Sequence, residues 1–412
     1  MSVSAEGPNL LGSYGPWVDA VASRAGRLSF RPTVAAGKMR IAQWKEQGRA
    51  AVRGRLGPLP TPEDFVPTTR TVRTSTRDGV DAEELSWDLP FGPPAEAVFL
   101  KPAGARGPLP GVLALHDHGG FKRLGGRKIA DAGPTAEQPD PAVVRHRETY
   151  YGGAAWANEL ARRGFCVLAH DAFPFGSRRV RAADVQSHVT ERLTSDPDNP
   201  WGLNPERIIP GKSHPEVDMD GRYEDFAAHH EDVAARTLFA LGYTFPGVTL
   251  ADDSAALAVL RARPEVNQKR LGCCGLSGGG LRACFLAGLD DTVACAVSAG
   301  FMSTWRDFAL ANGYVHTWGL FVPHLARELD FPEILGLRAP LPSLVIACDG
   351  DILFDQAEVK KAEVMLGEIY GHSGAVERMR TSHYPRPHSF DREMQVEAFD
   401  WLARWLNAGR GG

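Results

Sequence analysis

The sequence predicts an α/β fold: a mostly parallel central sheet with helices on both faces, preceded by an N-terminal helical extension. Three observations lead there. Short apolar runs alternate with helical patterns through most of the chain, as a sheet covered on both faces requires. Hydrophobic residues at 43% and charged residues at 23% of 412 describe a folded chain with ample core, not a disordered one. Finally, a glycine-rich hexapeptide joins one of the apolar runs directly to a helical one.

The pattern from Pro32 to Gly57 is helical, with Ile41, Trp44, Val52 and Leu56 on one face and Lys38, Arg40, Lys45, Arg49, Arg53 and Arg55 on the other. A basic amphipathic helix can bind a membrane or a partner, but a packed helix with a solvated outer face accounts for the pattern more simply. Gly57-Pro58-Leu59-Pro60 and Thr61-Pro62 end it, because proline cannot continue a helix and biases its predecessor to extended backbone. The division is therefore a helical extension over 1–66 and one α/β domain over 67–412.

Within that domain, Thr71–Thr76 and Glu83–Trp87 flank the turn Asp78-Gly79, and Ala97–Leu100 follows. Leu109–Leu115, Phe165–Ala169, Arg270–Leu276, Val293–Ala299 and Ser343–Cys348 are short apolar runs of strand length. Ala154–Arg163 and Ser254–Arg263 read as helices between them, and Met394, Ala398, Leu402 and Trp405 form the stripe of a last helix. No internal repeat is present. Between Ser177 and Tyr223 the chain is polar, carries several prolines and shows neither period. It reads as a loop-rich insertion at about 178–225 that leaves the carboxyl end of Phe165–Ala169. Ligands bind at that edge of open α/β sheets, so the insertion is expected to border the site.

Composition excludes some functions. The 46 basic and 50 acidic residues leave a net charge of −4, which offers no electrostatic footprint for nucleic acid or an anionic membrane. No run approaches the ~20 apolar residues that span a bilayer. Met1-Ser-Val-Ser-Ala-Glu-Gly-Pro has no basic region followed by an apolar one, so no secretory signal is expected. The six cysteines (Cys166, Cys273, Cys274, Cys284, Cys295 and Cys348) form no C-x-x-C pair and lie mostly in apolar stretches. Buried free thiols in a reducing, cytoplasmic setting are the expectation. The 44 glycines and 30 prolines exceed the ~12% these two residues usually contribute together, which implies many tight connections.

The hexapeptide is Gly275-Leu276-Ser277-Gly278-Gly279-Gly280, after the strand Arg270-Leu-Gly-Cys-Cys and before the helical run Leu281–Leu289. It fits G-x-S-x-G in its required setting of strand, sharp turn and helix. The turn strains the serine backbone, and side chains two residues to either side would collide, so glycines flank it. Ser277 Oγ is then presented at a helix N-terminus, where backbone N–H groups stabilise developing negative charge.

A serine hydroxyl needs a base within hydrogen-bond reach, and the base needs a third group to orient it. With this elbow the partners follow in the order Ser, Asp or Glu, His. His388 stands immediately before the last helix; His383 and His372 are rivals further from it. Asp351, in the Asp349-Gly350-Asp351 turn after Ser343–Cys348, is the candidate acid, with Asp349 and Asp355 as alternatives. A second oxyanion donor is needed besides the Gly278 N–H. The strand ending Leu115-His116-Asp117-His118-Gly119-Gly120 brings backbone close to a substrate, and the His118 N–H is the candidate.

His116 and His118 also raise a metal reading, but no third ligand has recognisable spacing. Gly211-Lys212-Ser213 resembles the end of a phosphate loop with Glu206 where its first glycine belongs. Asp218-Met-Asp220-Gly221 starts like a calcium loop with Tyr223 at its obligatory glycine. No nucleotide, metal or other cofactor is expected. Trp201, Phe301, Trp305, Trp318 and Phe321 are candidates for an aromatic pocket, although aromatics are more often core.

Four stretches resemble α/β-hydrolases of the acetyl xylan esterase and dienelactone hydrolase-like group: Leu115-His-Asp-His-Gly-Gly, Val167-Leu-Ala-His-Asp-Ala-Phe-Pro-Phe-Gly-Ser, Arg263-Pro-Glu-Val-Asn-Gln-Lys-Arg-Leu-Gly-Cys-Cys-Gly-Leu-Ser-Gly-Gly-Gly, and Pro340-Leu-Pro-Ser-Leu-Val-Ile-Ala-Cys-Asp-Gly-Asp. The likeness covers roughly residues 70–410, a span compatible with one domain. It implies an α/β-hydrolase fold with Ser277 as nucleophile, Asp351 as acid, His388 as base, and Gly278 and His118 as oxyanion donors. Two positions depart from the family: Asp117 stands where many relatives have glycine, and Cys348 replaces the glycine of the strand-G-x-x-D pattern.

The expected activity is hydrolysis of a small-molecule carboxylic ester, a deacetylation among the possibilities, through an acyl-enzyme. Acyl transfer or carbon–carbon bond hydrolysis on the same triad is the alternative, since function sits in the pocket and not in the fold. A non-catalytic binding protein has no need of all three triad residues. The N-terminal helices offer the surface for a homodimer.

Overall fold

A computed structural model describes residues 9–62, 64–133, 140–194 and 223–407. The domain begins with a hairpin. Strands β1 (Thr69–Arg77) and β2 (Val80–Trp87) pair antiparallel across Asp78-Gly79, both with positive φ (49° and 78°), which is the two-residue turn whose twist matches the strands it joins. Strand β3 (Ala95–Pro102) continues the antiparallel meander, and its far edge meets β5 (Cys166–His170). From there β4 (Leu109–Leu115), β6 (Val266–Leu276), β7 (Val293–Ala299), β8 (Ser343–Cys348) and β9 (Met379–Tyr384) run parallel. Among the described residues the sheet has nine strands, in the order β1-β2-β3-β5-β4-β6-β7-β8-β9. The mostly parallel sheet matches the expected fold class.

The N-terminal extension carries α1 (Gly15–Ala22) and α2 (Ile41–Leu56). After β4 come α3 (Pro141–Tyr151) and α4 (Trp156–Arg162), and after β5 come α5 (Ser187–Thr194), α6 (Tyr223–Ala240) and α7 (Phe245–Ala262). Then follow α8 (Gly278–Leu289), the single turn α9 (Trp305–Asp307), α10 (Phe331–Gly336), α11 (Gln356–His372) and α12 (Arg392–Asn407). On one face of the sheet, Leu257 of α7 and Leu281 and Phe285 of α8 share a core with Trp44 and Val52 of α2. On the other, Trp156 and Leu160 of α4 pack with Met394, Ala398 and Leu402 of α12. Trp405, read as part of that stripe, is only half-buried.

Several readings need correction. The basic side of α2 is not simply solvated. Lys45 Nζ donates to Ala339 O (2.6 Å), Arg49 Nε to Gly288 O (3.0 Å) and Arg53 Nη2 to Leu289 O (2.6 Å). The two arginines cap carbonyls that the end of α8 leaves unpaired, a favourable place for cations. Helix α7 begins at Phe245, well before Ser254, because the Thr244 side chain caps Gly247 N–H and Pro246 fits the first turn. The stretch read as a loop-rich insertion carries α5, and α6 begins at its far end. Its middle lies outside the described residues, as do Trp201, Glu206, Gly211-Lys212-Ser213 and Asp218–Gly221. All six cysteines are buried and free. Among the described residues, no helix is long and apolar enough to cross a membrane.

Candidate active site

The turn after β6 is bent as its glycines demand. Ser277 has φ 56° and ψ −120°, a conformation that costs of order 1–3 kcal/mol and persists only where its surroundings enforce it. They do: Ser277 N–H donates to Ala299 O on β7 (2.8 Å), and Ser277 O accepts from Leu281 N–H (2.9 Å) in α8. A Cβ at Gly275 would lie 2.6 Å from Leu115 O, and one at Gly279 would lie closer still to the same oxygen. Only glycine fits two residues before and two after the serine.

After β8, Asp351 closes a tight turn by donating its N–H to Cys348 O (3.1 Å). One carboxylate oxygen accepts from Leu353 N–H (3.0 Å), and the other meets His388 Nδ1 at 2.5 Å. Asp351 is buried and His388 only partly so. The His388 ring lies over Gly300, where a Cβ would be 3.1 Å from Cε1. Gly300 follows Ala299, the acceptor for Ser277 N–H, so Ser277, Gly300, Asp351 and His388 gather at the carboxyl ends of β6, β7 and β8.

The rivals are engaged elsewhere. His383 Nδ1 meets Asp349 (2.8 Å) and its Nε2 meets Glu363, so carboxylates hold both ring nitrogens. His372, in the last turn of α11, packs on Phe30. Asp355 caps the other end of that helix by accepting from Ala357 N–H.

The β4 turn comes up beside the elbow: a Cβ on Gly278 would stand 3.0 Å from His118 N. Buried Lys128 fixes which way that N–H points. Its ammonium donates to Asp117 O (2.9 Å) and His118 O (2.8 Å), and His116 Nδ1 also contacts Asp117 O (2.9 Å). In a planar trans peptide the C=O and the following N–H point opposite ways. Anchoring Asp117 O inward therefore turns the His118 N–H outward.

The Asp117 side chain sits beneath this turn. His146 Nε2 (3.0 Å) and Tyr151 OH bond to it, and Lys128 lies 3.8 Å away. Burial opposes ionisation, but Lys128, His146 and Tyr151 hold the carboxyl well below the usual carboxylate range. The departure at Asp117 thus supplies the counter-ion for a lysine with no exposed surface. Arg282, on α8, binds Asp253 and donates to His116 O (3.2 Å), while His170 Nε2 meets Asp253 at 3.0 Å. Sequence reading missed Lys128, Asp253 and Arg282; nothing in their local pattern marks them as buried.

A pocket opens beside His118 and Gly278, walled by Phe173, Phe175, Phe245, Leu281 and Phe285. Of the proposed aromatics, Phe301, Trp305, Trp318 and Phe321 do not line it, and Trp201 lies outside the described residues. Phe301 is buried among Phe308, Phe331 and Phe354 instead, and the Trp318 indole donates to Asp232 Oδ1 (2.7 Å). His116 also lines this pocket, and burial together with Arg282 and Lys128 keeps its ring neutral by pushing its pKa well below the usual histidine range. No group of His, Cys, Asp and Glu among the described residues could hold a metal ion.

No family model matches the chain. It is 26% identical over 352 residues to YtaP of Bacillus subtilis (strain 168), a protein to which a hydrolase role is ascribed, covering 85% of this chain and 96% of that one. A Bacteroides fragilis NCTC 9343 structure to which acetyl xylan esterase activity is ascribed superposes with a TM-score of 0.61 at 16% identity, over 91% of this chain and 83% of the other. The glucuronoyl esterase of Solibacter usitatus gives a TM-score of 0.54 at 14% identity, over 88% and 92%. At such identities the structural likeness is one of fold.

Proposed function

With the α/β-hydrolase fold, which the chain has, as the premise, we propose that the protein is a serine esterase that works through an acyl-enzyme. His388 removes the Ser277 proton as Oγ attacks the ester carbonyl carbon, and Asp351 stabilises the imidazolium that forms. The N–H groups of Gly278 and His118 receive the tetrahedral oxyanion. Collapse breaks the bond to the alcohol oxygen, which leaves with the proton from His388. Water then attacks the acyl-enzyme with His388 again as base, releasing the carboxylic acid and restoring Ser277.

One observation carries this reading. The pair of buried Asp351 and partly buried His388 stands at the same sheet edge as the strained serine, while each rival histidine and aspartate has other partners. The phenylalanine-walled pocket suits an apolar part of the ester. The esterase names of the structural relatives agree, and six buried free thiols fit a reducing, cytoplasmic setting. Ser277→Ala tests the reading directly. Turnover of p-nitrophenyl acetate should vanish while circular dichroism and Tm stay at wild-type values. A folded variant with full activity would end the proposal.

A further inference from the structure

Helix α6 emerges from the insertion and lies against the turn that carries His118. Its first-turn Glu224 accepts the backbone N–H groups of Lys122 (2.6 Å) and Arg123 (2.9 Å). Two helical turns on, along the same face, stands Glu231. It meets His118 Nε2 at 3.1 Å, accepts from Trp318 N–H (2.8 Å) and the Thr317 hydroxyl, and pairs with the Lys122 ammonium. Burial opposes its ionisation, but His118 and Lys122 hold its carboxyl well below the usual range. An ionised carboxylate only accepts, so His118 Nε2 carries the proton and Nδ1 is left to accept from Gly120 N–H (3.1 Å). The ring is gripped from both sides, and the main-chain N–H of the same residue faces Gly278.

We propose that Glu231 is a positioning residue for the oxyanion hole, and that α6, through Glu231 and Glu224, straps the His118 turn into its working geometry. The proposal rests on the serine esterase reading and adds a role for the insertion, whose helical end sets the second oxyanion donor. The two carboxylates do not touch the ester. They grip the side chain of the donor residue and the main chain that follows it, and Glu231 also ties the turn to Trp318 and to Thr317, which lines the pocket. Misplacing one oxyanion donor weakens the transition state more than the bound ester, so turnover suffers and substrate binding does not.

The test compares Glu231→Gln, Glu231→Ala and Glu224→Gln with the wild type. It measures kcat and KM on p-nitrophenyl acetate, inhibition by an alkyl boronic acid whose tetrahedral adduct mimics the oxyanion, and Tm. Outright loss of a donor costs ~10²–10³ in rate, and displacement of a retained one should cost about 10- to 100-fold in kcat. KM should stay within about threefold, and boronate affinity should fall by the same factor as kcat. A purely structural role would lower Tm and leave the boronate affinity of the folded fraction unchanged. Folded variants with kcat within about twofold of wild type, or with kcat lost and boronate affinity kept, overturn the proposal. If Glu231→Ala does not fold, the two Gln variants decide. Labelling by a fluorophosphonate separates the two claims: failure to label wild-type Ser277 removes the esterase reading and this proposal with it, whereas a labelled Ser277 with unaffected variants removes this proposal alone.

Discussion

Replacing Asp351 by Asn should disable turnover through the histidine tautomer, and the local hydrogen bonds determine how. One carboxylate oxygen accepts from Leu353 N–H at 3.0 Å and the other faces His388 Nδ1 at 2.5 Å. An amide placed there must keep its oxygen toward Leu353, because a flip would set its NH2 against that backbone donor at a cost of about 1–3 kcal/mol. The NH2 then donates to Nδ1, which forces the proton of the neutral ring onto Nε2. In that tautomer Nε2 cannot take the Ser277 proton, and no carboxylate remains to stabilise the imidazolium. Loss of both functions in a triad costs about 10⁴ in kcat, or roughly 5.5 kcal/mol of transition-state stabilisation. Since Asn preserves size and the Leu353 bond, Tm should fall little. The assay is steady-state hydrolysis of p-nitrophenyl acetate with Asp349→Asn beside it; Asp349 holds His383, so that control should retain most activity. An Asp351→Asn enzyme within tenfold of wild type, or an Asp349→Asn enzyme equally impaired, would refute the reasoning.

Further predictions concern the supports of the site. Lys128→Met removes the donor that anchors Asp117 O and His118 O and strips a buried carboxylate of its counter-ion, so it should cost about 3–5 kcal/mol in chemical denaturation as well as activity; an unchanged midpoint would contradict the role given to that lysine. Gly275→Ala puts a Cβ 2.6 Å from Leu115 O, and the forced backbone shift should cost about 1–3 kcal/mol on the same denaturation curve. Burial pushes the Glu333 carboxyl up to about 7, against hydrogen bonds from Phe30 and Asp330 N–H. A carboxyl whose folded pKa lies above its unfolded one stabilises fully at pH below about 4.5, and that contribution is lost as pH rises toward about 7. Tm measured from pH 5 to 8 should therefore decline less in Glu333→Gln than in the wild type. Burial also pushes the Cys166, Cys284 and Cys295 thiols up to about 12, so a thiol-reactive disulfide reagent should titrate the native protein slowly and all six cysteines after unfolding.

The parallel half of the sheet was legible because β4 to β8 are buried on both faces and appear as short apolar runs. Strand β9 was not, because Met379–Tyr384 is a half-exposed edge strand of mostly polar residues, with no apolar run to mark it. The sharp strand-to-helix turn at Ser277 could be read because its glycines answer a local steric demand, close approach to Leu115 O, that leaves a trace in the sequence. Pairings between distant segments leave no such trace. Lys128 with Asp117, or Glu231 with Lys122, look like ordinary surface charges until the fold buries them. The aromatic pocket was misassigned for the same reason: Phe301 and Phe285 look alike in sequence and share one core, and only the packing brings the second to the wall of the pocket beside His118. The basic face of α2 read as solvated because a helix pattern does not reveal that carbonyls at the end of another helix await its arginines.

The proposed reaction depends on Ser277 as the nucleophile. Incubation with a fluorophosphonate followed by peptide mapping addresses that most directly. One phosphonyl group per chain should appear on the peptide containing Ser277, labelling should be lost in Ser277→Ala, and His388→Ala should slow it by orders of magnitude. A folded wild-type protein that hydrolyses p-nitrophenyl acetate yet carries the label on another residue, or on none, would contradict the account.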